Sequence, residues 1–175
     1  MKRSLSSLLA TTTLIFSCVA FASQTFEQGY EYAQKQDYGN AIKIWLPLAE
    51  QGNPLAQSNL GVLYENGWGV KVDLDKARYW YELAVENKQT DAMFNLANMY
   101  HHGFGVEQDL NIAGELYLQA AEQNHGQAQL MLGVMFQQIE DFQQAIHWFQ
   151  LAVENQVEGA QKNLDFICQM EAINC

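Results

Sequence analysis

The sequence predicts an all-α solenoid of about four helix-hairpin repeats, closed by a C-terminal capping helix. The segment Ala56–Tyr64 returns as Ala92–Tyr100 and again from Ala128, so the chain repeats itself every 36 residues. Within each copy, small and apolar residues recur at the spacing of a helix rather than of a strand. A period of this size is typical of stacked supersecondary units, none of which buries its apolar face alone.

In the second, third and fourth repeats, the first helix carries an alanine, a leucine, a small residue and an aromatic residue at positions i, i+4, i+5 and i+8. In the second repeat these are Ala56, Leu60, Gly61 and Tyr64. This spacing places all four on one helix face, with the small residue where a neighbouring helix must come close. The pattern predicts first helices over residues 25–36, 54–65, 91–101 and 127–138.

An aspartate precedes the apolar start of each second helix, and its side chain can accept one of the first free backbone N–H groups. The four aspartates are Asp37, Asp73, Asp109 and Asp141. They predict second helices over residues 38–51, 74–87, 110–123 and 142–155, and a lone helix over residues 159–170 closes the array. A glutamate recurs near the end of each second helix, and we expect it to accept backbone N–H bonds where the next helix begins. These are Glu50, Glu86, Glu122 and Glu154.

The links between paired helices differ in length. The second and third repeats contain Gly67–Val70 and Gly103–Val106, which have no counterpart between Phe136 and Asp141. The fourth link is therefore four residues shorter. Glycines in the long links can adopt turns with positive φ, and we expect Trp68 and Phe104 to fill the space between repeats. The alternative is that these two rings protrude as contacts.

The N-terminus indicates export. Lys2 and Arg3 precede an apolar stretch over residues 8–21, and Ala20-Phe-Ala22 fits a small-residue cleavage site. We expect residues 1–22 to be a signal peptide and residues 23–175 a single repeat domain, periplasmic or secreted. The apolar stretch is short for a membrane span, so no span is expected in the mature chain. The alternative is a lipoprotein whose mature chain begins at a lipidated Cys18.

The acidic balance of the chain narrows the class of partner. The formal net charge is −11, and no lysine or arginine lies between Lys88 and Lys162. Such a surface repels phosphate backbones, so nucleic acid is not an expected partner. A basic or amphipathic protein segment is favoured instead. In an oxidising compartment, Cys168 and Cys175 are expected to form one disulfide that clasps the C-terminal end.

The repeat resembles the Sel1-like repeat, a relative of the tetratricopeptide repeat. The resemblance is carried by Ala-Gln-x-Asn-Leu-Gly-x-x-Tyr-x-x-Gly-x-Gly-Val over residues 56–70, then Asp73-x-x-x-Ala77, then Trp80-Tyr-x-x-Ala84. It implies a right-handed α/α solenoid whose first helices line a concave face, and an exported adaptor or regulatory protein. The repeats would span approximately residues 24–53, 54–89, 90–125 and 126–156, with a cap over 157–175.

The same resemblance implies a groove lined by first-helix side chains around a recurrent asparagine. The expected groove residues are Ser58, Asn59, Val62 and Glu65; Phe94, Asn95, Asn98 and His101; and Leu130, Val134 and Gln137. They differ between repeats, as an asymmetric binding surface requires, so we expect a protein or peptide segment to bind there. Two alternatives stay open: the asparagines set helix packing, or the groove is filled by its own side chains.

No residue pattern predicts a catalytic, metal or cofactor site. Adjacent helical residues point about 100° apart, so His101 and His102 cannot chelate a metal as an i, i+4 pair does. Ser58 is followed by Gly61 rather than by the lysine of a Ser-x-x-Lys motif. We expect a protein-interaction module that is not an enzyme. The alternatives are a small hydrolase acting on cell-wall or β-lactam substrates, and an envelope lipoprotein with a structural role.

Overall fold

A computed structural model describes residues 26–170 of the 175-residue chain, and every regular element in this range is helical. Helix α1 covers residues 26–34. The others are α2 (Tyr38–Glu50), α3 (Pro54–Asn66), α4 (Leu74–Glu86), α5 (Thr90–His102), α6 (Leu110–Glu122), α7 (Gly126–Gln138), α8 (Phe142–Glu154) and α9 (Ala160–Met170). Each predicted helix is present, with ends that differ by one or two residues. The predicted signal peptide, Cys18 and Cys175 lie outside the described residues.

The chain divides into two compact units, with the boundary inside α4. Unit 1 ends at Ala77 and unit 2 begins at Arg78. In unit 1, α2 packs against α3. In unit 2, each helix from α5 to α9 packs against the next one along the chain. Neighbours in sequence are therefore neighbours in space, as a row of helix hairpins requires.

A glycine on a first helix faces an aromatic ring on the second helix of the same hairpin. In unit 2, a Cβ atom added to Gly133 of α7 would clash with the ring of Phe149 on α8. In unit 1, a Cβ atom added to Gly29 of α1 would clash with the Trp45 ring on α2. Phe149 is fully buried and Trp45 nearly so. The missing methyl group lets the two helices approach, and the ring fills the remaining space at the packing density of a protein interior.

The four predicted aspartate caps of the second helices are confirmed. Each carboxylate accepts the backbone N–H of the residue three positions further along the chain. The donors and distances are Asn40 to Asp37 at 3.3 Å, Lys76 to Asp73 at 3.0 Å, Ile112 to Asp109 at 3.1 Å and Gln144 to Asp141 at 3.2 Å. These bonds fix where each second helix begins.

The prediction for the recurrent glutamates is wrong. Each is the last residue of its helix and is exposed. The N–H groups of the following first helices are capped instead by the residue just before each helix. Asn53 accepts from Ala56 at 3.0 Å, Gln89 from Ala92 at 2.6 Å, and the His125 Nδ1 atom from Ala128 at 3.1 Å. These three caps are themselves 36 residues apart.

The capping helix α9 closes the last hairpin through a small apolar cluster. Phe149 and Ala145 of α8 pack with Leu164 and Ile167 of α9, all four buried. The partly buried Cys168 packs against the same cluster. Because Cys175 lies outside the described residues, the disulfide stays a prediction. Among residues 26–170, no helix combines the length and the hydropathy needed to cross a membrane.

The imidazole cap can be tested by comparing two replacements of His125. We expect His125→Ala to lower the free energy of unfolding by about 1 kcal/mol, because the Ala128 N–H loses its acceptor. His125→Asn places here the residue found at the equivalent position Asn53, and should recover most of that loss. Urea unfolding followed by circular dichroism measures both variants. Equal losses would show that the stability comes from another contact of the imidazole ring.

Candidate protein-interaction surface

Six aromatic and imidazole rings form a continuous series of contacts along α5 of unit 2, here called the α5 ring row. In order of contact they are His125, Phe94, Tyr117, His101, His102 and Phe104. Successive ring centroids are 4.8, 5.8, 6.1, 4.7 and 5.3 Å apart. These separations lie in the range in which tilted and edge-to-face ring pairs attract one another. Tyr117, near the middle of the row, is fully buried. Phe104, at the end of the row, is 54% exposed.

Tyr117 holds the middle of the row in place through a hydrogen bond to α5. Its hydroxyl donates to Asn98 Oδ1 at 2.6 Å. Burial raises the pKa of the Tyr117 hydroxyl, so the group stays protonated and remains a donor. The bond orients the Asn98 carboxamide on α5, and the amide N–H₂ group is then what Asn98 can offer to a partner.

His125 fixes one end of the row by using both ring nitrogens. Because Nδ1 accepts the Ala128 N–H, the neutral ring must carry its proton on Nε2. That nitrogen lies 3.4 Å from Asp91 Oδ1. The hydrogen bond from His125 is the main cause that holds the pKa of the Asp91 carboxyl below its usual value. The imidazole stacks on Phe94 and so sets the orientation of that ring.

His101 lies near the other end of the row in a less polar environment. Its Nδ1 atom is buried and has no hydrogen-bond partner within the described residues. Desolvation, with a smaller contribution from His102, lowers the pKa of the His101 imidazole. The ring is therefore neutral at neutral pH. Gln108 Nε2 donates to the His101 carbonyl at 2.6 Å and ties the long link back to the end of α5.

The seven predicted groove residues of unit 2 are all partly buried. They are Phe94, Asn95, Asn98 and His101 on α5, and Leu130, Val134 and Gln137 on α7. Phe94 and His101 belong to the α5 ring row, and Asn98 is bonded to its centre. Leu130 and Val134 instead pack against the Phe149 cluster and help to hold α7 to the last two helices. Phe94, Asn98 and His101 are thus connected through Tyr117, while the apolar α7 residues serve mainly the core.

The four predicted groove residues of unit 1 also differ in their surroundings. Ser58 is only 3% exposed, so its hydroxyl is not part of an accessible surface. Asn59 and Val62 line a cavity of about 250 Å³ together with Tyr30 and Trp68. Glu65 is partly buried.

The two link aromatics behave differently from one another. Trp68 packs in part as predicted, since its ring stacks on Tyr38 at 5.3 Å and 18°, but its side chain remains 43% exposed. Phe104 instead protrudes next to the exposed His102, which was the alternative expectation. Gly67 and Gly103, which open the two long links, have φ values of 69° and 73°, as the expected turns require.

Sequence reasoning missed His125 and Tyr117 as parts of this surface. Histidine is not among the usual N-cap residues. The available signal was its position one repeat period (36 residues) after Gln89 and two periods (72 residues) after Asn53. Tyr117 carried only a packing signal, because its hydrogen bond to Asn98 depends on the relative position of α5 and α6. Within residues 26–170, no three His, Cys, Asp or Glu side chains are grouped so that they could hold a metal ion.

The helices and their register define an all-α repeat protein, and sequence comparison identifies the repeat. The Sel1 repeat model matches residues 22–53, 54–88, 90–125 and 126–157. The chain therefore belongs to the Sel1 repeat family. Proteins of this family are typically non-catalytic and bind other proteins. A comparison with curated protein sequences gives no match.

Solved structures confirm the predicted fold class. The chain is similar to a Sel1 repeat protein from Oxalobacter formigenes, with a TM-score of 0.80 and 29% identity, over 85% of this chain and 63% of that one. It is also similar to c5321, a protective antigen present in uropathogenic Escherichia coli strains, with a TM-score of 0.79 and 23% identity. That match covers 85% of this chain and 34% of the antigen. The chain thus spans less than two thirds of either protein.

The partly buried His101 ring predicts a pH dependence of stability. Because its folded pKa lies below the ordinary value of 6.5, acidification lets the unfolded chain bind a proton that the folded chain resists. The free energy of unfolding should therefore fall as the pH drops below about 6.5. His101→Gln should make this slope shallower between pH 6.5 and 5, and urea titrations across the range measure it. The contribution of Asp91, whose pKa is lowered from 3.8, is lost only at more acidic pH.

The matched control for His101 is His147, an exposed histidine on α8. His147→Gln should leave the slope of the wild-type protein unchanged. Identical slopes for wild type and His101→Gln would contradict the assignment of the pH dependence to the partly buried ring.

Proposed function

We propose that this chain is an exported, non-enzymatic adaptor or regulator that binds a protein partner along the α5 ring row. The observation that carries the proposal is the row itself, because it connects a buried, hydrogen-bonded tyrosine to an exposed phenylalanine without a break. Aromatic side chains are enriched at the energetically important centres of protein interfaces. The α5 ring row consists of such side chains and ends in solvent, where a partner can reach it.

The row is held in place before any partner arrives. Tyr117 is bonded to Asn98, and His125 is held by Ala128 and Asp91. The inner rings therefore have little conformational freedom to lose on binding, which favours affinity. The outer members, His102 and Phe104, are free to adjust to the surface that they meet.

The charge around the row favours a basic or amphipathic partner. Asp91 on α5 and Glu107 in the following link are exposed. The stretch between Lys88 and Lys162 contains no lysine or arginine. A partner lysine or arginine could lie over the rings as a cation–π contact while the carboxylates steer its approach.

Two features support the remaining parts of the proposal. Export rests on the leader-like composition of residues 1–22. A non-catalytic role is supported by the position of Ser58, whose burial removes the serine on which the hydrolase alternative depended. The general behaviour of the Sel1 repeat fold as a protein-interaction module supports the binding of a protein partner.

Site-specific photocrosslinking tests the proposed surface. A benzoylphenylalanine at Phe104 should give discrete cross-linked products when the full chain is expressed in its native cell envelope. Phe166 on α9 is the matched control, because the two side chains are 54% and 52% exposed and lie in the same unit. Products from Phe104 that are absent from Phe166 are expected. Identical products from both positions would contradict a partner site on the row.

A second variant separates binding from folding. His102 is exposed, so His102→Ala should leave thermal unfolding unchanged. The same change should reduce the yield of the Phe104 cross-link severalfold, because the exposed end of the row loses a contact. An undiminished yield would show that the partner does not use the row.

A further inference from the structure

A second apolar surface in unit 2 lies between α6 and the end of α7, and none of its residues belongs to the α5 ring row. It is a pocket of about 550 Å³, a size typical of ligand and side-chain sites. The main apolar residues that line it are Leu110, Gly114 and Leu118 from α6, Met135 and Phe136 from α7, and Ile139, which follows the end of α7. Leu110, Leu118 and Ile139 are exposed, so three large apolar side chains meet solvent at one place.

In unit 1, the equivalent surface at the start of α2 is covered by a link. There the long link that follows α3 folds over the start of α2. The Trp68 ring stacks on Tyr38, and a Cβ atom added to Gly69 would lie 2.7 Å from Tyr38 Cβ and 3.0 Å from the Gly39 backbone nitrogen. The Gly-Trp-Gly segment is thus in close contact with the first two residues of α2.

The corresponding surface in unit 2 has no such cover. Tyr38 and Gly39 correspond, two repeat periods later, to Leu110 and Asn111, and both of these line the pocket. The link that would lie over them joins α7 to α8, and it lacks the Gly-aromatic-Gly-Val residues of the two long links. The pocket therefore marks the position of an aromatic side chain that the chain supplies in one repeat and omits in another.

The charge at the edge of the pocket specifies the occupant further. Glu115 is part of the lining. Glu140 and Asp141, which follow Ile139, are exposed. Glycine at position 114 leaves room for an incoming ring against α6. An occupant with an aromatic side chain and a nearby positive charge would match both the apolar walls and the acidic rim.

We propose that this pocket binds an extended segment of a partner protein, with one aromatic side chain inserted between α6 and α7 and a basic residue at the acidic rim. The proposal does not depend on the α5 ring row, because the two surfaces share no residue. It assigns a binding role to the shortened fourth link, which creates the site by leaving it open.

A short peptide copied from the chain's own long link is the direct probe. Residues 66–71, Asn-Gly-Trp-Gly-Val-Lys, contain both the aromatic ring and a lysine. Labelled with a fluorophore at its N-terminus, this peptide should bind the full chain saturably in an anisotropy titration. The version with alanine in place of tryptophan should bind at least about tenfold more weakly, because the ring supplies most of the buried apolar area. Added salt should weaken binding of the tryptophan peptide.

Matched protein variants locate the site. Leu118 and Ile112 lie on the same helix and are both 38% exposed, but only Leu118 lines the pocket. Leu118→Glu should weaken peptide binding at least about tenfold, which is a loss of roughly 1.4 kcal/mol. Ile112→Glu should leave it unchanged. Gly114→Leu should also block the peptide by filling the pocket, since a Cβ there meets only the flexible end of Met135, at 3.4 Å.

Thermal unfolding of each variant confirms that it is folded before binding is compared. The proposal is overturned if the wild-type chain shows no saturable binding, if the alanine peptide binds equally well, or if Ile112→Glu weakens binding as much as Leu118→Glu. It is also overturned if sedimentation shows a dimer that Leu118→Glu dissociates, since the occupant would then be a second copy of this chain.

Discussion

The close approach of the two helices within a hairpin, where a glycine faces an aromatic ring, is the constraint on which the other features depend. Gly133 faces Phe149 and Gly29 faces Trp45, and in both hairpins the two residues are 16 positions apart. In the third repeat, whose link is long, the corresponding residues Ala97 and Tyr117 are 20 positions apart. The four extra residues all fall in the link. The helix pair can therefore keep its register while the link changes in length.

Because the length of a link can change without changing the helix packing, the surface differs between repeats mainly at the links. Trp68 in one long link covers Tyr38, Phe104 in the next reaches into solvent beside His102, and the shortened fourth link leaves Leu110 uncovered. None of these differences disturbs a core position. The α5 ring row is arranged in the same way, because its exposed end, Phe104, lies in a link, while the buried Tyr117 at its middle occupies the position of the packing ring that recurs in each repeat. The proposed binding surface thus extends outward from residues that pack the core.

The sequence was informative wherever one helix face repeats. Ala56, Leu60 and Gly61 predicted the helices to within two residues because burial alone decides those positions. Asp37 and its equivalents were predicted because an N-cap is a local interaction.

The glutamate prediction failed because a terminal residue such as Glu50 points to solvent, and the cap is made by the residue just before the next helix. Ser58 was placed in the groove, but its side of α3 is buried. The pocket beside Leu118 could not be predicted, because it arises from residues that one link lacks.

A double-mutant cycle on Gly133 and Phe149 tests the central constraint most directly. Gly133→Ala should lower the free energy of unfolding by about 1–3 kcal/mol, because the added methyl group overpacks the ring. Gly39→Ala is the control, since a Cβ atom there meets nothing within 4 Å, and it should be neutral or stabilising. Combined with Phe149→Leu, Gly133→Ala should cost less than it does alone, with a coupling of at least about 0.5 kcal/mol in urea unfolding. Additive losses would show that the glycine and the ring do not constrain one another, and would contradict this account of the fold.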